Sequence, residues 1–139
     1  MPQTFSPLQP DDLVNLDAKR EWVAGHLTEG ANPGFDDVKT KLNILTAVID
    51  NGWVRPDETA KLQALGVVFG DILASLVNAP WAMVEDEWGR DPCLLIDESR
   101  SIALFPMTMI SKRVEAGERV DVMALLSASA QQAVEMRAG

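Results

Sequence analysis

Apolar positions recur at helical spacing through the first half of the chain and then switch to alternation. Asp11 or Asp12 stands where a helix cap is expected, and Leu13, Leu16, Val23 and Leu27 fall close to one stripe, with Arg20 the polar interruption. Gly30-Ala-Asn-Pro-Gly34 breaks that pattern. A second helix, capped near Asp36, carries Val38, Leu42, Leu45 and Ile49 inward and Lys39, Lys41 and Asn43 off the stripe, until Asn51-Gly52 ends it. Pro56 opens a third, with Asp57 and Glu58 in its first turn facing the positive end of the macrodipole. Its inward set is Leu62, Leu65, Phe69, Ile72, Leu73 and Leu76. Gly66 and Gly70, four apart, each cost about 1 kcal/mol relative to alanine in a helix interior. They predict the close approach of another element, the sheet or the second helix, with a ligand on the flat groove as the alternative.

From Pro80 the period becomes two. Trp81, Met83 and Glu85 alternate with Ala82, Val84 and Asp86, and Glu87-Trp88-Gly89-Arg90 supplies a turn. Return strands over Cys93–Asp97 and Ser101–Phe105 complete an antiparallel meander of three. Phe105-Pro106 ends the last strand, Met107 to Ala116 fits a short helix that Gly117 stops, and Val120–Arg137 reads as a terminal helix with Val122, Leu125, Leu126 and Val134 inside. The expected fold is one α+β domain: three N-terminal helices, a three-stranded antiparallel meander, then two C-terminal helices, with the helices on one face of the sheet. Residues 1–10 are expected to be loose.

Composition changes this picture little: 47% hydrophobic and 24% charged residues in 139 is an ordinary globular mix. Charge says more. A net charge of −9 argues against a general grip on nucleic acid, whose affinity comes from Lys and Arg on phosphates. Residues 79–105 carry six acids against Arg90 and Arg100, which makes the hairpin the acidic pole and suits a cationic partner. The lone Cys93 lies in an apolar run and reads as a buried thiol. The N-terminus lacks the basic and apolar regions of a signal peptide, and no apolar run approaches a membrane span, so the expected setting is cytoplasmic, with no membrane or nucleic-acid partner.

Candidate chemistry concentrates in two places. Glu85, Asp86 and Glu87 invite a metal or acid–base reading, since Glu85 and Glu87 share a strand face and Asp91 or Asp97 could join them. No histidine accompanies them, so solvated charges paired with Arg90 or Arg100 are the simpler account, and no metal or other cofactor is expected. A nuclease core would need a lysine in the next strand, and Cys-Leu-Leu-Ile-Asp-Glu has none. His26, the only histidine, sits where it would cap a helix end. The second place is Pro106-Met-Thr-Met-Ile-Ser-Lys-Arg113, where a helix start, the Thr108 and Ser111 hydroxyls, and Lys112 and Arg113 could hold an anion or pair with Glu85, Asp86 or Asp91. Trp88, flanked by charges at the hairpin tip, reads either as a contact residue or as core.

Several residues together resemble the bacterial family known as domain of unknown function 3806. They are Leu65-Gly66 with Phe69-Gly70, Trp81, Glu85-Asp86 with Gly89, Phe105-Pro106, Lys112-Arg113, and Gly117-Glu118 with Asp121. The resemblance spans roughly Leu65 to Leu125, placing a family-like core at 61–126 behind a variable helical extension at 11–60. It implies a small α+β domain without assigned chemistry. The leading expectation is a non-catalytic module that binds a protein partner at the acidic hairpin through Glu85, Asp86, Trp88, Arg90 and Asp91. The alternative is a small hydrolase or ligand-binding enzyme between the 81–97 hairpin and the 106–113 helix, using Glu85 or Asp86 with Arg113. A homodimer through the Gly66/Gly70 face or the Ser101–Phe105 edge suits either.

Overall fold

A computed structural model describes residues 3–25, 37–87 and 89–139. It is α+β, with helices α1 (Pro10–Ala24), α2 (Val38–Asp50), α3 (Thr59–Val77), α4 (Met109–Glu115) and α5 (Val122–Ala138). The sheet has four strands, β1 (Thr4–Ser6), β2 (Trp81–Asp86), β3 (Gly89–Asp97) and β4 (Ile102–Leu104), antiparallel in that order. The expected three-strand meander is present and gains β1, which pairs Phe5 with Val84. Residues 4–6 are therefore not loose. Leu27, His26, the 30–34 break, Asp36 and Trp88 lie outside the described residues.

Helix α3 is the axis of the molecule. From Ala64 to Gly70 every residue is buried, so it is apolar all round, as a core helix must be. At 19 residues with a mean hydropathy of 1.6 it is long and apolar enough to cross a membrane, contrary to the expectation from the sequence. In this fold that surface meets other parts of the chain. Leu65, Phe69, Ile72 and Leu73 share one cluster with Val23 of α1, Leu45 and Val48 of α2, Leu94, Ile96 and Leu104 of the sheet, Ile110 of α4, and Leu125, Leu126 and Ala133 of α5. The sheet's opposite face carries a smaller cluster of Ala82, Val84 and Cys93, with Phe5, Leu95 and Ala103 beside it.

The two glycines mark the closest approach. A Cβ on Gly66 would stand 2.3 Å from the Met107 carbonyl oxygen, and one on Gly70 would stand 2.5 Å from the Trp81 ring. The neighbours are thus the Pro106–Thr108 turn and the first residue of β2, and α2 is not among them. Both glycines are buried under these groups, so that face is not open to a second copy.

Polar groups tie the elements together. The Arg20 guanidinium donates two hydrogen bonds to the Asp71 carboxylate, each 2.8 Å, and the Trp81 indole N–H donates to the same carboxylate at 2.9 Å. Helix α1 is thereby fixed to α3 and β2. Arginines also close two helix ends, where unpaired carbonyls and the negative pole of the macrodipole gather. Arg100 donates to the carbonyls of Met136 and Arg137 at the end of α5. Arg137 in turn donates to those of Val77 and Asn78 at the end of α3.

Several positions differ from the periodic reading. Leu13, Leu76 and Val134 are 44, 55 and 56% exposed, while Ile44, Val48 and Ala133 point inward. Pro56 and Asp57 precede α3, whose N-cap is Glu58. The β2–β3 pairing runs as far as Asp86 opposite Gly89, whose φ of +133° suits glycine.

Candidate functional site

Helix α1 presents Asp12, Asn15, Leu16 and Lys19 along one stripe, at the i, i+3, i+4, i+7 spacing of a single face. That stripe forms one wall of a cavity of about 250 Å³, which Met83, Arg90, Asp91, Pro92 and Met107 complete. Asp91, Pro92 and Met107 also line a second cavity of about 190 Å³ with Phe105, Thr108 and Lys112. The two form one groove between α1, the start of β3 and the turn before α4. Its floor is apolar, with Met83 and Leu16 buried, Pro92 and Met107 half-buried, and Phe105 37% exposed.

The wall is held by an ion pair. Arg90 grips Asp12 with both terminal nitrogens, Nη2 at 2.7 Å from Oδ2 and Nη1 on Oδ1, and the Gln9 backbone N–H donates to Oδ2 at 2.7 Å. The Arg90 bonds chiefly, and the Gln9 N–H after them, hold the Asp12 carboxyl down to about 2. Asp97, on the far end of β3, is likewise held to about 2 by the Ser99 hydroxyl and then Arg100. Both groups bind a proton more readily in the unfolded chain, so their stabilisation is complete above about pH 4 and is lost as pH falls through 2. Denaturation midpoints measured from pH 5 to 2 should therefore fall, and Asp12→Asn, already weakened at pH 5, should lose less over that window than the parent. Identical slopes would show that Asp12 is unpaired in solution.

The residues singled out in the sequence are only partly brought together. Arg90, Asp91 and Lys112 reach the groove. Glu85 is exposed and lies opposite Arg90 in the ladder, where its charge acts on the guanidinium. Asp86 is half-buried at the end of β2. Arg113 turns back onto its own helix, donating to the Met109 carbonyl at 2.9 Å. The anticipated helix-start anion site does not form as expected. The chain makes a 3₁₀ turn at Pro106–Thr108, and the Thr108 and Ser111 hydroxyls donate to the carbonyls of Phe105 and Thr108. Sequence reasoning missed Asn15, Lys19 and Pro92, and read Asp12 only as a cap.

Among the described residues no three His, Cys, Asp or Glu side chains gather as a metal site, and no buried side-chain nitrogen or oxygen lacks a hydrogen bond. Cys93 is fully buried, and burial pushes its thiol up to about 11, away from nucleophilic use. A further cleft of about 270 Å³ opens at the end of α2, walled by core side chains such as Val48, Leu62 and Leu65 with Asp50, Glu118 and Arg119 among its lining. Glu118 of the family-like set lines it, whereas Glu85, Asp86, Arg90, Asp91, Lys112 and Arg113 are not in its lining.

The model of the family described as domain of unknown function 3806 matches residues 41–125. The chain belongs to this family. The match reaches back through most of α2, well before the Leu65 at which the resemblance begins, and it includes the hairpin and α4 but not α1. A crystal structure from Bacteroides thetaiotaomicron is also similar, with a TM-score of 0.78 and 22% identity over 93% of this chain and 47% of that one. The likeness is one of fold, and the chain spans about half the length of that structure. No curated protein matches. Because α1 lies before the family match, one wall of the groove comes from outside the family span and its floor from within it.

Proposed function

We propose that this domain is a non-catalytic binding module that seats a segment of a partner protein in the groove between α1, the β2–β3 hairpin and the Pro106–Thr108 turn. The observation that carries the reading is the pairing of an accessible apolar floor, Pro92, Phe105 and Met107, with flanking lysines 19 and 112. Methionine adapts to varied partners, and an apolar centre with a charged rim is the usual anatomy of a contact surface. Catalysis has less support. The enzyme alternative asks for a carboxyl raised toward neutrality, and the groove's Asp12 moves the opposite way, as an ion-pair partner does. Arg113, the cation that alternative needs, is turned to its own helix.

The acidic hairpin keeps a part in this proposal, because Asp91 lines the groove, Glu85 lies opposite Arg90, and both favour a partner with basic residues. The test is selection from a phage-displayed random peptide library. Met107→Asp and Lys112→Glu, each checked for an unchanged melting temperature, should weaken the selected peptides at least about tenfold, a change of about 1.4 kcal/mol. Peptides indifferent to both substitutions, or no enrichment at all, would sink the groove as a binding surface.

A further inference from the structure

The sheet leaves part of the edge of β3 open. The Leu95 N–H donates to the Pro80 carbonyl at 2.9 Å, which fixes the ladder's phase: Leu95, Cys93, Asp91 and Gly89 turn their backbone groups toward β2. Arg90, Pro92, Leu94 and Ile96 therefore turn theirs the other way. There β4 pairs with Leu94, Leu95 and Asp97, and its last residue, Leu104, stands opposite Leu94. One residue later the chain leaves the sheet, because Phe105-Pro106 dives under Gly66 and Gly70 into the turn before α4. The strand position beside Arg90–Pro92 is thus vacated, and among the described residues no strand fills it. The 190 Å³ cavity lies in that gap, between Asp91 and Pro92 on one side and Phe105, Met107 and Lys112 on the other.

We infer that an extended peptide adds as a strand to this free edge of β3, taking hydrogen bonds from the Arg90 N–H and giving them to the carbonyls of Arg90 and Pro92. The inference rests on the groove reading above and specifies how the groove holds its occupant. Strand addition draws affinity from main-chain bonds and selectivity from alternate side chains. Pro92 has no N–H, which keeps the edge short and suits one brief segment better than open-ended pairing.

The surrounding charges define the occupant. Side chains on its inner face meet Pro92, Phe105, Met107 and the Lys112 ammonium, so apolar residues and one carboxylate belong there. Side chains on its outer face lie beside Asp91, which shares its sheet face with Asp86, so a basic residue belongs there. The occupant is a partner segment that alternates apolar or acidic residues with basic or hydroxyl ones.

The probe for this is the synthetic peptide acetyl-Lys-Val-Thr-Glu-Lys-Val-Thr-amide, titrated into the isotope-labelled full chain. Binding should saturate below about 1 mM, and the Arg90 amide should exchange with solvent at least about tenfold more slowly in the complex. A scan of single N-methylated probes should show affinity lost at two positions two residues apart, the donors to the Arg90 and Pro92 carbonyls, and kept at the others. Saturation that tolerates every N-methyl group and leaves the Arg90 amide unprotected would overturn strand addition and leave the groove reading standing. Failure to saturate would also overturn strand addition, and the library selection judges the groove independently.

Discussion

Gly66→Ala should lower the melting temperature by about 10 °C, although alanine is the better helix former. In an exposed helix interior the exchange stabilises by about 1 kcal/mol. At Gly66 the new methyl would stand 2.3 Å from the carbonyl oxygen of Met107 and 2.7 Å from its carbon, both backbone atoms. A flexible side chain could swing aside, but a peptide group can move only with the Pro106–Thr108 turn. Overpacking of this kind costs about 1–3 kcal/mol and sometimes more. For a chain of this length that is a shift of roughly 3–5 °C per kcal/mol. Gly25→Ala is the control, since its Cβ would meet nothing nearer than 3.4 Å and its φ is the helical −63°. It should be neutral or slightly stabilising. Gly66→Ala should also blunt peptide selection, because the carbonyl it displaces belongs to Met107 in the groove floor. A Gly66→Ala melting point equal to that of Gly25→Ala would mean that the turn sits farther from α3 than described.

That contrast also shows what the sequence could and could not disclose. Two glycines four apart in an apolar helix announce a close approach, because nothing else offsets their cost. Which element approaches is a matter of tertiary path: Pro106-Met107 lies forty residues further on, and local pattern carries no information about it. Helix α3 was legible as a helix but not in its facing, since a stretch buried on every side has no stripe to read. Ala64, Val67 and Val68 are buried with the expected set, while Leu76 is out. β1 escaped notice because three residues with a single apolar position make no period, and its partner Val84 is far along the chain. The hairpin was legible from alternation and Gly89, and the charges Arg90, Asp91 and Lys112 were visible as charges. Their assembly was not. Asp12 reads locally as a cap, and only the return of α1 beside the hairpin turns it into the partner of Arg90, 78 residues away. The Thr108 and Ser111 hydroxyls misled for the converse reason, since short polar side chains near a helix start bond their own backbone as readily as a ligand.

Asp71→Ala should cost about 2–4 kcal/mol, the other large effect. It removes the acceptor of three hydrogen bonds, leaving the Trp81 indole N–H without its partner and the Arg20 guanidinium with Asp17 alone. The Asp71 side chain is 13% exposed and that of Arg20 is 24% exposed, so the orphaned charge is mostly away from water. Removing one member of a fully buried pair costs about 3–5 kcal/mol, and the partial exposure here brings the figure down. Arg20 also keeps its bond to Asp17, which softens the loss further. Arg20→Met should cost less than Asp71→Ala, because Asp71 retains the indole. The double variant should then be milder than the sum of the two by about 1–2 kcal/mol, measured by denaturant unfolding, as expected for groups in one network. Strict additivity would mean that the three side chains are solvated separately. The consequence reaches the groove. Asp12, Asn15 and Lys19 lie on the helix that Arg20 pins, and the Arg20–Asp71 bonds are a charged tie from α1 to α3. If the groove binds as proposed, Asp71→Ala should weaken the selected peptides at temperatures well below its own melting point, although Asp71 lines neither groove cavity.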